Sequence, residues 1–458
     1  MQPASQGWTG IHLFLLFAAA LLAVGSARAQ DPASVPLPAA PPASTSLPED
    51  VTPLRLEEAI ERAQAVSSNM VSAEGSVEVA AATRRRAFGA FLPTLSGSAG
   101  MNFSSSERFD PESNISVSGA ATSVSAGLSA SWDLFRGLQR FAALDSAKAG
   151  QDVARAELEV RRRATVYDVT ASFYEALRAG EALEVTVSRI QRAQVGLEAA
   201  DKRAKVGAAT RSDVLRARLE LNSARNAELQ ARANRRAAEL ELARLVGART
   251  AVRPVVGAAP LDGGAPSQEV RSAVIDEVLD GHPQIVALRA STRQADASLR
   301  SAKGAYWPTL RLAAGTDWFG QAPTFFPGRD SWSVRLGLSV PIFDGFQRDE
   351  TTTRARVEQR ISLARLAEAE RDLRSQVERA LDQLSLAAEK VALTDEAVES
   401  AREDLRVQQE RYGLGVSTML ELLTSQEALV TSENQRISAL FDRDLARAQL
   451  EALAGRVP

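Results

Sequence analysis

Cysteine is absent from all 458 residues, which excludes disulfides, iron–sulfur clusters and thiolate metal sites. Histidine is nearly absent. His12 and His282 alone occur, and this argues against a histidine-rich metal centre and against a Ser-His-Asp triad. An excess of either charge is also missing, with 54 basic against 57 acidic residues, whereas nucleic-acid binders usually carry a strong basic surplus. No phosphate loop of the Gly-x4-Gly-Lys kind is found. No carboxylate pair stands apart from ordinary helix charges, so neither an enzymatic reaction nor a cofactor or metal is expected. Aromatics are few, at 5%, while Ala, Leu, Arg and Glu abound, a balance that favours long helices in coiled-coil packing.

Long apolar runs are missing too, with one exception. Ile11 to Val24 is apolar and is followed by Ala27-Arg28-Ala29, a small-x-small cleavage site. Residues 1–29 read as a secretory signal peptide cleaved after Ala29. As a helix the run would rise only ~21 Å, short of a bilayer core. With no second run of this kind, a mature chain in a membrane has to enter as a β-barrel. Residues 30–50 form a Pro/Ala-rich lead segment, with six prolines between Asp31 and Asp50.

What is present is a duplication. Phe91-Leu92-Pro93-Thr94-Leu95 matches Tyr306-Trp307-Pro308-Thr309-Leu310. Leu134-Phe135-Arg136-Gly137-Leu138-Gln139-Arg140 matches Ile342-Phe343-Asp344-Gly345-Phe346-Gln347-Arg348, Gly207 matches Gly415, and Val246-Gly247 matches Ala454-Gly455. From Leu134 onward each pair lies 208 residues apart. Loops tolerate drift in length, so packing must hold these elements in step. Copy one is placed at 51–247, with a helix, strands 95–104 and 123–135, and helices 138–205 and 210–246. A linker follows at 248–269, marked by Pro254, Pro260, Pro266 and Gly263-Gly264. Copy two is placed at 270–455, with a helix, strands 309–319 and 331–343, and helices 346–413 and 417–454.

Proline is missing from 112 to 253 and from 342 to 457. From Phe346 to Tyr412 neither Gly nor Pro occurs, and one helix over that segment would be ~100 Å long. Its apolar stripe runs Leu366, Ala369, Leu373, Val377, Leu381, Leu384, Ala388 and Val391 in steps of three or four. Such a rod needs partner helices along its length. The copy-one counterpart contains Gly150, Gly180 and Gly196, each costing about 1 kcal/mol against Ala without having to break the helix.

Between the helices the period changes to two. Leu95, Gly97, Ala99, Met101 and Phe103 alternate with small or polar residues. So do Val124, Ala126, Leu128, Ala130, Trp132 and Leu134, then Leu310, Leu312, Ala314 and Trp318, then Trp332, Val334, Leu336, Leu338, Val340 and Ile342. About ten residues suffice for a tilted strand to span a bilayer. One apolar and one wet face suit a membrane barrel, and Trp132, Trp318 and Trp332 lie where an aromatic girdle would sit. A soluble sandwich has the same alternation, and it is the signal peptide and the rods that favour the membrane. Four strands cannot enclose a lumen, since barrels of about eight are filled by side chains or hold one small ligand. Several chains must share one barrel. More than two are favoured for a pore, and three is not fixed by this argument.

Leu56-Glu57-Glu58-Ala59-Ile60-Glu61-Arg62-Ala63, Gly281-His282-Pro283-Gln284-Ile285, the two Pro-Thr-Leu strand entries and the Gly-containing strand-to-helix turns resemble those of TolC-family outer-membrane factors. The resemblance covers residues 51 to 455. It implies a mainly α protein with membrane β: a homotrimeric twelve-stranded β-barrel, four strands per chain, continued by a long α-helical periplasmic barrel. It also implies a cell outer membrane location, outer-membrane lipid around the barrel, a periplasmic adaptor at the far mouth and, through it, an inner-membrane transporter. The function implied is passive export in efflux or type I secretion.

The resemblance points to the two helix turns, 203–215 and 411–423, as the periplasmic mouth. Asp213 and Tyr412 match positions that help hold such mouths closed. Glu421 matches an acidic position at the entrance. Ser417 stands where an arginine partner is expected, and Arg211 or Arg203 is then the candidate replacement. Thr210, Ser212, Ser417 and Thr418 are candidate helix caps. Val206, Gly207, Leu414, Gly415 and Val416 are the expected adaptor contacts. Arg84-Arg85-Arg86 and Arg161-Arg162-Arg163 read as solvated helix charges. The rival reading is a coiled-coil structural or tethering protein of the envelope.

Overall fold

A computed structural model describes residues 52–110, 115–255, 268–320 and 328–455. The expected signal peptide, nearly all of the lead segment and most of the linker lie outside the described residues. The chain divides into a β unit, described over 90–137 and 307–342, and a helical unit that takes in the remainder.

In chain order the elements are β1 (Thr52–Leu54), α1 (Leu56–Val66), α2 (Ser68–Gly89), β2 (Thr94–Asp110), β3 (Ile115–Arg136), α3 (Gln139–Lys205) and α4 (Arg211–Leu245). The second copy follows as β4 (Val252–Pro254), α5 (Gln268–Gly281), α6 (Pro283–Gly304), β5 (Thr309–Gly320), β6 (Gly328–Ser339), α7 (Gln347–Leu414) and α8 (Met419–Ala454). Gly89 and Gly304 end equivalent helices 215 residues apart, whereas Gly137 and Gly345 begin equivalent turns 208 apart. The seven extra residues of copy one therefore lie in its hairpin, and the helical stretches keep step.

In the helical unit α3 is continuous over 67 residues, with Gly150, Gly180 and Gly196 inside it. Copy one packs Leu54, Ile60, Val166, Val169, Phe173, Leu242 and Val252 into one cluster. Copy two packs Ile275, Val278, Ile285, Leu373, Val377 and Leu381 into another. Val169 and Val377, like Phe173 and Leu381, are equivalent positions and are fully or almost fully buried. The stripe read from the sequence is thus the buried face of α7. Residues 252–254, expected as linker, instead form strand β4, which pairs in parallel with β1. The physical reason is burial: Leu54 and Val252 both enter the copy-one core. Beside them Glu239 is buried and meets Arg253 at 3.4 Å and Arg235 at 3.5 Å. The first helix of each copy is broken in two, at Ser67 and at His282-Pro283. His282 caps α6 by accepting the Gln284 N–H at its Nδ1. Burial, with Arg163 nearby, lowers its pKa to about 4, which keeps that nitrogen free to accept.

The β unit is one antiparallel sheet in the order β2-β3-β5-β6. Its register joins the four apolar sets on one face, except that an irregularity between Asp133 and Phe135 sets Phe135 instead of Leu134 opposite Leu310. Leu95 pairs with Ala130, Ala130 with Ala314 and Ala314 with Val334. Gly97, Leu128, Thr316 and Trp332 form the next row. The opposite face carries Ser96, Ser129, Gly315 and Ser333 in register. β2 and β3 run well beyond the expected 95–104 and 123–135, because the ladder is made by the backbone and needs no apolar side chain. β6 stops at Ser339 instead of reaching 343, since Pro341 has no N–H to give to a ladder. Trp132 faces Leu312, and Trp318 lies six residues further along the same strand, about 20 Å away. Trp132 Nε1 donates to the Phe91 carbonyl at 2.9 Å. The Trp318 indole lies over Gly320 and Gly328, where a Cβ would overlap it.

Leu381 is fully buried between α7 and the short helices of copy two. Leu381→Ala is expected to lower the unfolding free energy by about 2–5 kcal/mol, read from denaturant titration followed by far-UV circular dichroism.

Candidate functional site: the paired helix turns

The chain reverses twice, between α3 and α4 and between α7 and α8. Both reversals use the same chemistry. Gly207 and Gly415 take φ +76° and +80°, the left-handed backbone that ends a helix. Ala208 N–H then bonds the Arg203 carbonyl at 2.8 Å and Val416 N–H bonds the Arg411 carbonyl at 3.0 Å, closing Schellman-type ends. The next helix starts with a reciprocal cap. Thr210 Oγ1 accepts from Asp213 N–H at 3.2 Å while Asp213 Oδ2 accepts from Thr210 N–H at 3.0 Å. Thr418 and Glu421 repeat this at 3.3 and 3.2 Å. Of the four cap candidates the structure uses Thr210 and Thr418. The Thr-x-x-Asp and Thr-x-x-Glu spacing is a capping-box pattern, and it gives Asp213 and Glu421 one local role that the sequence reading did not assign them.

The two turns pack on each other. Ala200 of α3 and Ala217 of α4 join Val398, Leu405 and Tyr412 of α7 and Met419, Leu422 and Leu429 of α8 in one buried cluster. Tyr412 is 5% exposed. The Arg203 guanidinium stacks on its ring, 4.5 Å from the centroid, and donates from Nη2 to the Ala208 carbonyl at 3.1 Å. Arg203 therefore takes up contact with Tyr412, while Arg211 is exposed on the first turn of α4 and makes no such contact. Ser417 Oγ lies 2.9 Å from Gln408 Oε1 and 2.5 Å from Glu421 Oε2, so it belongs to the turn's own network. Two donors at this contact, Tyr412 Oη and Arg203 Nη1, are buried without a partner among the described residues. Val206, Gly207, Leu414, Gly415 and Val416 are all exposed, Leu414 to 80%.

Charge at the turns follows from these bonds. Hydrogen bonds from Thr210 hold the Asp213 carboxyl below its ordinary pKa. The hydroxyl of Ser417 and the Thr418 N–H do the same for Glu421. Burial raises the Tyr412 phenol, with Asp213 adding to it and Arg203 opposing it. Among the described residues no cluster of His, Asp and Glu suited to a metal ion occurs. What the site offers is two acidic, capped turns with an exposed apolar rim and a buried aromatic contact between them.

Both carboxylates are more acidic in the folded chain, so the unfolded chain binds the extra protons. Their stabilising effect is present above the ordinary carboxylate value of about 4 and is lost as pH falls through the lower folded values. The protection of the amides in the 207–215 turn, taken against their intrinsic exchange at each pH, should fall over that acid range in the parent and stay flat in Asp213→Asn. Thr210→Ala should speed the same amides at neutral pH by an amount equal to about 1 kcal/mol.

Several known proteins are similar to this chain. Protein CyaE of Bordetella pertussis is 27% identical over 325 residues, 70% of this chain and 68% of that protein. The alkaline protease secretion protein AprF of Pseudomonas aeruginosa is 29% identical over 255 residues, 54% of this chain, and the match spans about half of AprF, at 52%. The outer membrane channel CmeC of Campylobacter jejuni superimposes with a TM-score of 0.75 at 15% identity, over 87% of this chain and 85% of that one, a likeness of fold. The family model described as outer membrane efflux protein matches residues 59–248 and 274–456, once over each copy, and the chain therefore belongs to the outer membrane efflux protein family.

Proposed function

We propose that this chain is the subunit of a homotrimeric outer-membrane channel that passively carries cargo from a periplasmic adaptor and its inner-membrane transporter to the exterior. The observation that carries the reading is the sheet. All four apolar sets fall on one face, and β2 and β6 each leave an outer edge without a partner among the described residues. An edge that stays unpaired in lipid costs several kcal/mol per backbone group, so another copy has to supply the missing strand. Three copies would give twelve strands, enough for an open lumen. The exposed large apolar side chains Leu95, Phe103, Leu128, Trp332, Val334, Leu336 and Leu338 on that face then meet lipid. Trp132 at one end and Trp318 with Trp332 at the other mark its two borders.

The long helices form a periplasmic tunnel, and the paired turns form its mouth. Asp213, Tyr412 and Glu421 line that mouth, with Arg203 supplying the arginine that position 417 lacks. Tyr412 Oη, unpaired within one subunit, finds its acceptor on a neighbouring subunit in the closed state. The adaptor docks on Val206, Leu414 and Val416, the exposed apolar tips beside Gly207 and Gly415. Opening is a two-state realignment of one hairpin against the other, biased by the adaptor.

Two measurements test this. In planar lipid bilayers Tyr412→Phe and Asp213→Ala should raise the closed-state leak. Removing an orphaned hydroxyl would be neutral for a lone subunit, so an unchanged leak in both variants would remove these residues from the gate. In cells, Leu414→Cys, the sole thiol of the chain, should crosslink to a periplasmic adaptor. Leu414 is a better site than Gly415, because a side chain at φ +80° is strained. Capture of an envelope tether and no conductance would favour the structural reading instead.

A further inference from the structure

Within copy one, Ile190, Ala193 and Leu197 of α3 pack on Leu221 and Ala224 of α4. Within copy two, Val398 and Leu405 of α7 pack on Leu422 and Leu429 of α8. Bulky apolar side chains thus bind each hairpin to itself. The copy-two cluster also reaches across to Leu197 and Ala200 of α3, and beyond it the seam between the hairpins, where α3 runs along α8, is built from small and charged residues. Copy one presents Gly196 and Ala200, both buried. Gln426, buried on α8, faces Gly196, where a Cβ would lie 3.8 Å from its Nε2, in ordinary contact. Two arginines of α3 then cross the seam. Arg189 bonds Glu220 of its own hairpin at 2.8 Å and Glu427 of α8 at 2.9 Å. Arg192 bonds Glu433 of α8 at 3.1 Å. Both arginines, with Glu220 and Glu433, are less than 20% exposed, and Arg192 Nε is buried without a partner among the described residues.

The geometry points to Arg189 and Arg192 as positioning residues that set the register of the copy-two hairpin against copy one, and through it the closed state of the mouth. The physical argument is about alternatives. Apolar contacts tolerate small slides with little change in energy. A half-buried ion pair does not: a slide of one helical turn, about 5.4 Å, leaves both charges desolvated and unpaired. Paired charges therefore add little net stability but penalise the wrong register strongly. The layer lies some ten or more residues before the α3 end at Lys205, so a small shift there is carried to the turns by two stiff helices. This inference rests on the reading that the paired turns are the channel mouth.

The test is closed-state leak of the full chain in planar bilayers. Arg192→Gln and Glu433→Gln, which remove one partner of a half-buried pair, are expected to raise the leak roughly tenfold or more, and Glu427→Gln, which removes an exposed partner, roughly two- to fivefold. The reciprocal exchange, Arg192→Glu with Glu433→Arg, should bring it back toward the parent, which a merely structural loss would not allow. Arg232→Gln, whose partner Glu228 sits one turn away on the same helix, should leave the leak unchanged. Glu427 is 60% exposed, so its variant folds whatever the fate of the others. A parent leak in Glu427→Gln and Arg192→Gln, or no recovery in the exchange, overturns the proposal. A parent chain that passes no ions overturns the channel reading on which it rests.

Discussion

Lateral packing along α3 is the constraint on which the helical unit depends. A 67-residue helix has no globular interior to bury its apolar stripe, so it must find a partner at every turn. Its partners are α1, α2, α4, α6 and α8. Arg300–Asp145 and Arg293–Asp152 tie α6 of copy two to the first half of α3. Because partners on both copies must meet α3 in register, neither copy can change length alone. This is why the offset between the copies holds at 215 before the strands and at 208 after them, and changes only where the seven extra residues of copy one fall.

The same duplication explains the turns. Each hairpin of helices needs a left-handed residue to stop one helix and a capped start for the next, and each copy solves this with the same residue types at the same spacing. The copies then diverge where they touch. Copy two contributes Tyr412, Leu405, Leu422 and Leu429 to the shared cluster, and copy one contributes Ala200 and Ala217. The fully buried side chains are thus large on copy two and small on copy one, with Leu197 and Val214 of copy one packed at the margin. Charged groups and small residues along α3 and α8 set this boundary apart from the apolar contacts inside each hairpin.

In the β unit the backbone sets the terms. Antiparallel pairing continues through the serine-rich ends of β2 and β3 and stops at Pro341, indifferent to polarity in the first case and blocked by a missing N–H in the second. The side chains decide only which face is which. Gly320 and Gly328 leave the room that the Trp318 indole occupies.

Much of this could be read in the amino-acid order. Local signals suffice for the duplication, the stripe of Leu373, Val377 and Leu381, the two-residue alternation in all four strands, and the glycines that end the helices, since each depends on backbone geometry within a few residues. The Thr-x-x-Asp and Thr-x-x-Glu caps were equally local. Other features were not legible. That β3 pairs with β5, so that four separate alternations share one face, depends on residues some 190 positions apart. That Arg203 rather than Arg211 meets Tyr412, that Arg189 and Arg192 cross to α8, and that residues 252–254 leave the linker to pair with β1 are facts of long-range packing. A sequence alone determines which groups must be buried, bonded or exposed. Only the tertiary structure decides which partner satisfies each of them, because the charged and apolar groups that compete for a place are many and chemically alike, and proximity chooses among them.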